Sequence, residues 1–403
     1  MPITDKTLIT ELLTRSVAKI YPSKSSLKKR LLSGDQLTFY MGIDPTADYV
    51  HLGHSTNYLI LERLHRLGHK IIVLVGDFTA MIGDPSDKSS MRVQLTRKQV
   101  KENLKTFKQQ IGKILDFEDE KNPIEFKYNS EWLASLTFQD SVELASNFTV
   151  QQMLERDSFK KRVQQQKPLY VHEFFYPFMQ GYDSVAMDVD GEIGGTDQTF
   201  NMLAGRTLLK KYKGKEKFVI ATTLLENPET GEKMMSKSRG TGIALNEPPK
   251  TMFIKVMQLP DSGIIQCFID CTRVSLEEIS TLKNDLNSGT NPKDIKLKLA
   301  HEIVEIYYGK ELAVESEENW ISQVSKKENI DNYPFAVIAS SEDLLGAILR
   351  LGVVDSKSKI KRLFNEGAIR IDGKQISLDD NLDIMTGQVL SIGKKNKYII
   401  NKQ

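Results

Sequence analysis

The sequence predicts an α/β domain built on a parallel sheet, followed by an α-helical domain and a small α+β domain at the C-terminus. Three observations predict it. Between residues 37 and 225, apolar runs of strand character alternate with stretches of helical spacing, the pattern of a parallel sheet covered by helices. From about 250 to 325 the strand signals fade and helical patterns take over. After a polar segment near 326 to 340, the tail reads as two short helices and then strands. The expected domains are therefore 1–245, 246–330 and 340–403.

Each element has its own warrant. The opening "MPITDKTLITELLTRSVAKIYPS" reads as an amphipathic helix; it carries acids and lacks the apolar core of a secretory signal. "LTFYMGI", "HKIIVLVGD", "IEFKY" and "KFVIATTLL" read as strands, and helical spacing recurs near 53–67, 92–115 and 197–211. "VGDFTAMIGDPSDKSS" places glycines and acids where a strand releases its chain, the end at which parallel sheets bind ligands. "SLEEISTLKNDL", "NPKDIKLKLAHEIVEIYYG" and "KELAVESEENWISQVSKK" read as helices with capping residues and charge pairs one turn apart. In the tail, "SSEDLLGAILRLG" and "SKSKIKRLFNEG" read as helices, and "AIRIDGKQIS" and "QVLSIGKKNKYIINK" as strands.

At 403 residues the chain can bury several cores, and its 40% hydrophobic and 27% charged residues are ordinary for a globular protein. With a net charge of +2, a polyanionic partner has to be held by local patches rather than by the overall field. Cys267 and Cys271 have no further cysteine or nearby histidine, which excludes a zinc site and a disulfide framework. No apolar run reaches membrane-spanning length. The expectation is a cytoplasmic protein.

Three stretches carry chemistry. In "GIDPTADYVHLGHS", His51 and His54 flank Gly53 where a strand gives way to a helix. Imidazole nitrogens can donate to phosphate or ribose oxygens, and helix N-terminal amides attract anions. The plainer reading is a pair of surface histidines at a helix start. "GEKMMSKSRGTG" offers Lys233, Lys237 and Arg239 among small residues, or simply a solvated basic loop. In "YPFMQGYDSVAM", the spacing of Tyr176, Gln180 and Asp183 puts all three on one helix face. Phenol, amide and carboxylate on one face form either an exposed polar stripe or a pocket in which each needs a partner.

HLGH followed by MSKS resembles the signature pair of class I aminoacyl-tRNA synthetases, which bind ATP on a Rossmann-like domain and pass an aminoacyl group to tRNA. The resemblance implies that His51, His54, Thr46, Lys237, Lys88 and Arg92 carry the chemistry of pyrophosphate departure, with cations meeting charge that grows on the leaving group. One departure stands out: the family's five-residue loop motif usually starts with lysine, whereas the aligned residues here begin at Met234. Either Lys233 takes the first lysine's role after a one-residue shift or that contact is absent.

The Y-x-x-x-Q-x-x-D pattern, together with Tyr40, resembles the amino-acid pocket of the bacterial tyrosyl-tRNA synthetase family. That resemblance implies that Tyr40 and Asp183 hold a substrate phenol, Tyr176, Gln180 and Asp84 its ammonium, and Gln198 lies near its carboxylate. Gly42, Asp44, Gly53, Gly195, Asp197, Lys233 and Ser238 would line ATP, with Asn129 and Trp132 in support. "SKSKIKRLFNEGAIRIDGK" resembles a small RNA-binding module of a small-subunit ribosomal protein. Its Lys357, Lys359, Lys361, Arg362 and Arg370 are the expected RNA contacts. Implied partners are tyrosine, ATP with Mg2+, tRNA(Tyr) and a second copy of the chain, met near residues 133–154. The rival expectations are a tryptophan-activating synthetase, a small HxGH-type nucleotidyltransferase, and an inactive RNA-binding regulator.

Overall fold

Short β-branched and aromatic runs build the main sheet: β1 (Val17–Tyr21), β2 (Thr38–Ile43), β3 (Lys70–Val75), β4 (Glu125–Tyr128), β5 (Gly191–Gly195) and β6 (Phe218–Thr222). The computed structural model describes residues 1–85, 95–235, 241–325, 333–338, 342–354, 356–378, 384–393 and 396–402. These fall into two compact units, Met1–Asn246 with Ser262–Asp285, and Glu247–Asp261 with Leu286–Gln403.

In the first unit the strand order is β1-β6-β5-β2-β3-β4. All neighbours are parallel except β1 and β6, which pair antiparallel. From β2 the chain proceeds outward through β3 and β4, then returns to the other side of β2 as β5 and β6. The order therefore reverses between β2 and β5, the kind of switch point beyond whose carboxyl ends open α/β sheets bind ligands. Two readings change here. Residues 17–21 form an edge strand rather than continuing the N-terminal helix, which spans only Lys6–Leu12. Pairing with β6 overrides the helical pattern, and Pro22 closes the strand. β5 escaped notice because "GEIGG" is mostly glycine, which lacks strand propensity; every residue of it is buried.

Helices Leu52–Arg66, Val171–Ala186 and Thr199–Lys213 pack in this unit with largely buried faces. The returning segment Ser262–Asp285 is joined to it by Arg15, buried to 2% exposure. Its guanidinium donates to the carbonyls of Phe268, Ile269, Thr272 and Val274, closing the C-terminal end of helix Ile264–Cys271.

The second unit contains helices Pro249–Met257, Pro292–Tyr308 and Lys310–Ser325, and a five-stranded sheet. That sheet orders β7 (Phe335–Ile338), β11 (Asn396–Lys402), β10 (Val389–Ile392), β8 (Ile369–Ile371) and β9 (Lys374–Gln375). Helices Leu344–Arg350 and Lys357–Asn365 contribute to its core of Ile348, Ile360, Phe364, Leu390 and Ile400. The sheet begins at Phe335, ahead of the polar-segment boundary, because β7 pairs in parallel with β11. Among the described residues no helix is long and apolar enough to cross a membrane.

Candidate active site

Polar residues expected in the site come together around the carboxyl ends of β2 and β5. In β2, Tyr40 and Gly42 share one face. Tyr40 is fully buried, whereas Gly42 is exposed and an added Cβ would meet nothing within 4 Å. This is an open floor above a buried phenol. Asp44 follows at the strand's end and accepts from the Tyr176 hydroxyl (2.9 Å) and the Thr79 hydroxyl (2.8 Å). The chain of contacts continues through Asn129, whose Nδ2 donates to Thr79 Oγ1 at 3.1 Å and to Asp183 Oδ2 at 3.4 Å. Trp132 Nε1 donates to the other Asp183 oxygen at 2.7 Å.

Asp183 is 3% exposed. Burial holds its carboxyl well above the usual carboxylate range, against the pull of the Trp132 and Asn129 donors, and nearby Glu192 and Asp44 push the same way as burial. Burial also raises the Tyr40 phenol well above its ordinary value, reinforced by Glu192 and Asp183. Tyr40 is hydrogen-bonded to Ser184 (2.8 Å). Gln180 donates to Glu192 Oε1 at 2.9 Å. Asp84 receives Gln198 Nε2 at 2.7 Å and Arg156 Nη2 at 3.1 Å, an ion pair buried on both sides.

Helix Leu52–Arg66 starts with the His51 backbone amide donating to His54 Nδ1 (3.2 Å), and the two rings stack with centroids 3.8 Å apart. A Cβ on Gly53 would lie 3.1 Å from the His51 ring and 3.2 Å from Met235 Cβ. Met235 is the last described residue before the lysine loop, and beyond it Ile243 O accepts from Leu52 N at 2.8 Å while His51 pairs with Ala244. The flanks of the two motifs, far apart in sequence, thus meet at one helix start. Lys233 Nζ reaches Asp197 Oδ2 at 3.1 Å. Gly195 gives Asp197 room, since a Cβ there would sit 2.5 Å from its Oδ1. Thr46 follows Asp44 in a tight turn, its amide 2.8 Å from the Asp44 carbonyl. Lys88, Arg92, Lys237 and Ser238 lie outside the described residues. Lys357, Lys359, Lys361, Arg362 and Arg370 are exposed on helix Lys357–Asn365 and β8, in the second unit.

The family model for class I tRNA synthetases (W and Y) matches residues 32–325. The chain belongs to that family. As an aminoacyl-tRNA synthetase it is an enzyme that takes ATP as substrate, and the nucleotidyltransferase and inactive-regulator expectations fall away. Tyrosine–tRNA ligase 2 of Clostridium acetobutylicum is 41% identical over 374 residues, 92% of each chain. Tyrosine–tRNA ligase of Carboxydothermus hydrogenoformans is 42% identical over 390 residues, covering 94% of this synthetase and 93% of that one. The fold is matched by a C-terminally truncated mitochondrial tyrosyl-tRNA synthetase of Aspergillus nidulans. That crystal structure has 21% identity and a TM-score of 0.66, covering 79% of this chain and 94% of that one.

Sequence reasoning missed several residues that build this site. Glu192 and Lys217 form a buried ion pair. Arg156 forms a buried ion pair with Asp84. Gly76 lets Asp44 and Thr79 approach, since a Cβ there would fall 2.0 Å from Asp44 Oδ1 and 2.3 Å from Thr79 Oγ1. The one signal available was Glu192 itself, a charge inside a run that ends in glycines before a helix.

Proposed function

We propose that this synthetase is a tyrosine–tRNA ligase that activates L-tyrosine with ATP and passes it to the 3′ end of tRNA(Tyr). Identity of 41% and 42% to two tyrosine–tRNA ligases, over more than nine-tenths of the chain, is the observation that carries the reading. The pocket supports it independently. Tyr40 and Asp183 are polar groups set in a buried end, and a phenol hydroxyl adds to the hydrogen bonds they already make with Ser184, Trp132 and Asn129, which a phenyl ring cannot do. An indole offers a single donor and no acceptor for the Tyr40 hydroxyl, which favours tyrosine over tryptophan.

In this reading Tyr40 and Asp183 bind the substrate hydroxyl, and Tyr176, Gln180 and Asp84 hold its ammonium. Gln198, already aligned by Asp84, lies near its carboxylate. That carboxylate attacks the α-phosphate of ATP, the bond to the β-phosphate breaks, and pyrophosphate leaves with the bonding electrons. The tRNA terminal hydroxyl then attacks the carbonyl of the mixed anhydride and AMP departs. Gly42, Asp44, Gly53, Gly195, Asp197 and Lys233 line the nucleotide. His51 with Thr46 meets the outer phosphates, and His54 the ribose or inner phosphates. Lys88, Arg92, Lys237 and Ser238 supply charge and donors as pyrophosphate forms. The protein's part is position and preorganised charge.

Mg2+ enters with the triphosphate, bound chiefly through its phosphate oxygens. The exposed cations of helix Lys357–Asn365 and β8 contact tRNA phosphates, and helices within 246–330 approach the anticodon. The chain works in the cytoplasm as a homodimer. Its second copy covers the exposed apolar side chains Phe138 (85%), Val142 (53%) and Val150 (64%). A single-chain mass by light scattering at micromolar concentration would contradict the dimer. Incubating the protein with ATP, tRNA and each amino acid in turn tests the whole reading: tyrosyl-tRNA should form, and charging with another amino acid alone would overturn it.

A further inference from the structure

Lys217 sits just before β6 and is fully buried. A lysine that leaves water needs a carboxylate and further hydrogen bonds to remain charged. It has both: its ammonium pairs with Glu192 Oε2 and donates to Ser184 Oγ at 2.8 Å, and it lies 5.7 Å from the centre of the Tyr40 ring. The fold clears space for it, since a Cβ on Gly205 would fall 2.4 Å from Nζ and 2.7 Å from Ser184 Oγ. Each end of the pair then leads to the amino-acid pocket. Ser184 is bonded to the Tyr40 hydroxyl, and Glu192 Oε1 receives the Gln180 amide.

The two ions differ from any neutral pair in having fixed hydrogen-bond direction. An ammonium only donates and a carboxylate only accepts. With Lys217 donating to it, Ser184 turns its own proton toward Tyr40, which sets the Tyr40 hydroxyl as a donor, facing Glu192 and a ligand oxygen. With Glu192 taking the Gln180 NH2, the Gln180 carbonyl oxygen is left to accept from a ligand ammonium. We propose that the buried Lys217–Glu192 pair is a positioning device that fixes donor and acceptor direction at both ends of the tyrosine pocket. It rests on the reading that this pocket takes tyrosine, and neither residue touches the substrate.

Pyrophosphate exchange into ATP, with KM for tyrosine and for ATP measured separately, tests this in Glu192→Gln, Lys217→Met and the double variant. Glu192→Gln keeps the volume but lets the amide donate or accept, so KM for tyrosine should rise roughly tenfold while KM for ATP stays within about twofold. Lys217→Met should do the same, with a melting temperature lowered by the unpaired carboxylate. The neutral double variant should regain most of that melting temperature yet keep the raised tyrosine KM, because direction is still lost. A merely structural pair would restore both. Variants with wild-type tyrosine KM, or a double variant that recovers it, overturn the proposal while the tyrosine reading stands. A wild-type protein showing no tyrosine-dependent exchange overturns the pocket reading, and this inference with it.

Discussion

At the scale of single residues, the site depends on close approaches that leave no room for added atoms. Gly76 is the clearest case, because Asp44 holds Tyr176 and Thr79 only while that position lacks a Cβ. Gly76→Ala should lower tyrosine-dependent exchange by tenfold or more, and a variant that folds and exchanges normally would contradict this geometry. His69 gives a pH signature. It is buried, accepts from the Leu37 amide at 3.3 Å, and burial pushes its imidazole down to about 4. Between about pH 6.5 and 4 the unfolded chain therefore binds a proton that the folded chain refuses, so stability falls as the pH drops. His69→Asn keeps an acceptor near Leu37 without the titration. Denaturant melts across that window should show a shallower acid loss in the variant, and identical slopes would contradict the assignment. Tyr176, Gln180 and Asp183 were legible because one helix carries them at helical spacing. Glu192 and Lys217 were not, since their meaning lies in a pairing between β5 and the residue that precedes β6, which no local pattern encodes.

At the scale of elements, strands with β-branched runs were legible from the sequence and glycine-rich or edge strands were not. β2 and β3 carry their own signal; β5 is a strand because its flat, glycine-lined backbone fits between β2 and β6. β1 is a strand because β6 offers an edge. The return of helix Ile264–Cys271 to the first unit was equally hidden, since it depends on Arg15 from the N-terminal segment. Burial lowers the pKa of that guanidinium, partly offset by Glu11, yet its carbonyl partners keep it in place. Arg15→Met leaves the helix end unsatisfied and should destabilise the protein by about 3 kcal/mol, the scale of a lost buried charged hydrogen-bond group. Chemical denaturation measures it. A loss below about 0.5 kcal/mol would show the cap to be dispensable.

At the scale of the whole molecule, activation and tRNA capture are assigned to different parts of the chain. The pocket residues all belong to the first unit, and the exposed cations of helix Lys357–Asn365 and β8 to the second. Removing residues 333–403 should leave tyrosine-dependent pyrophosphate exchange within about twofold of the full chain. Charging at low tRNA concentration should fall, and its salt dependence should flatten as phosphate contacts are lost. A folded truncated protein that charges tRNA as well as the full chain at every salt concentration would contradict that assignment. The central claim, that Tyr40 and Asp183 form a pocket for a phenol, has a more direct test. Pyrophosphate exchange is measured with the unaltered full-length protein against each amino acid in turn, phenylalanine and tryptophan included. Exchange should depend on tyrosine, with phenylalanine strongly disfavoured, because it lacks the hydroxyl that Tyr40 and Asp183 are placed to bind. Exchange supported equally by phenylalanine, or by tryptophan and not by tyrosine, would contradict the account.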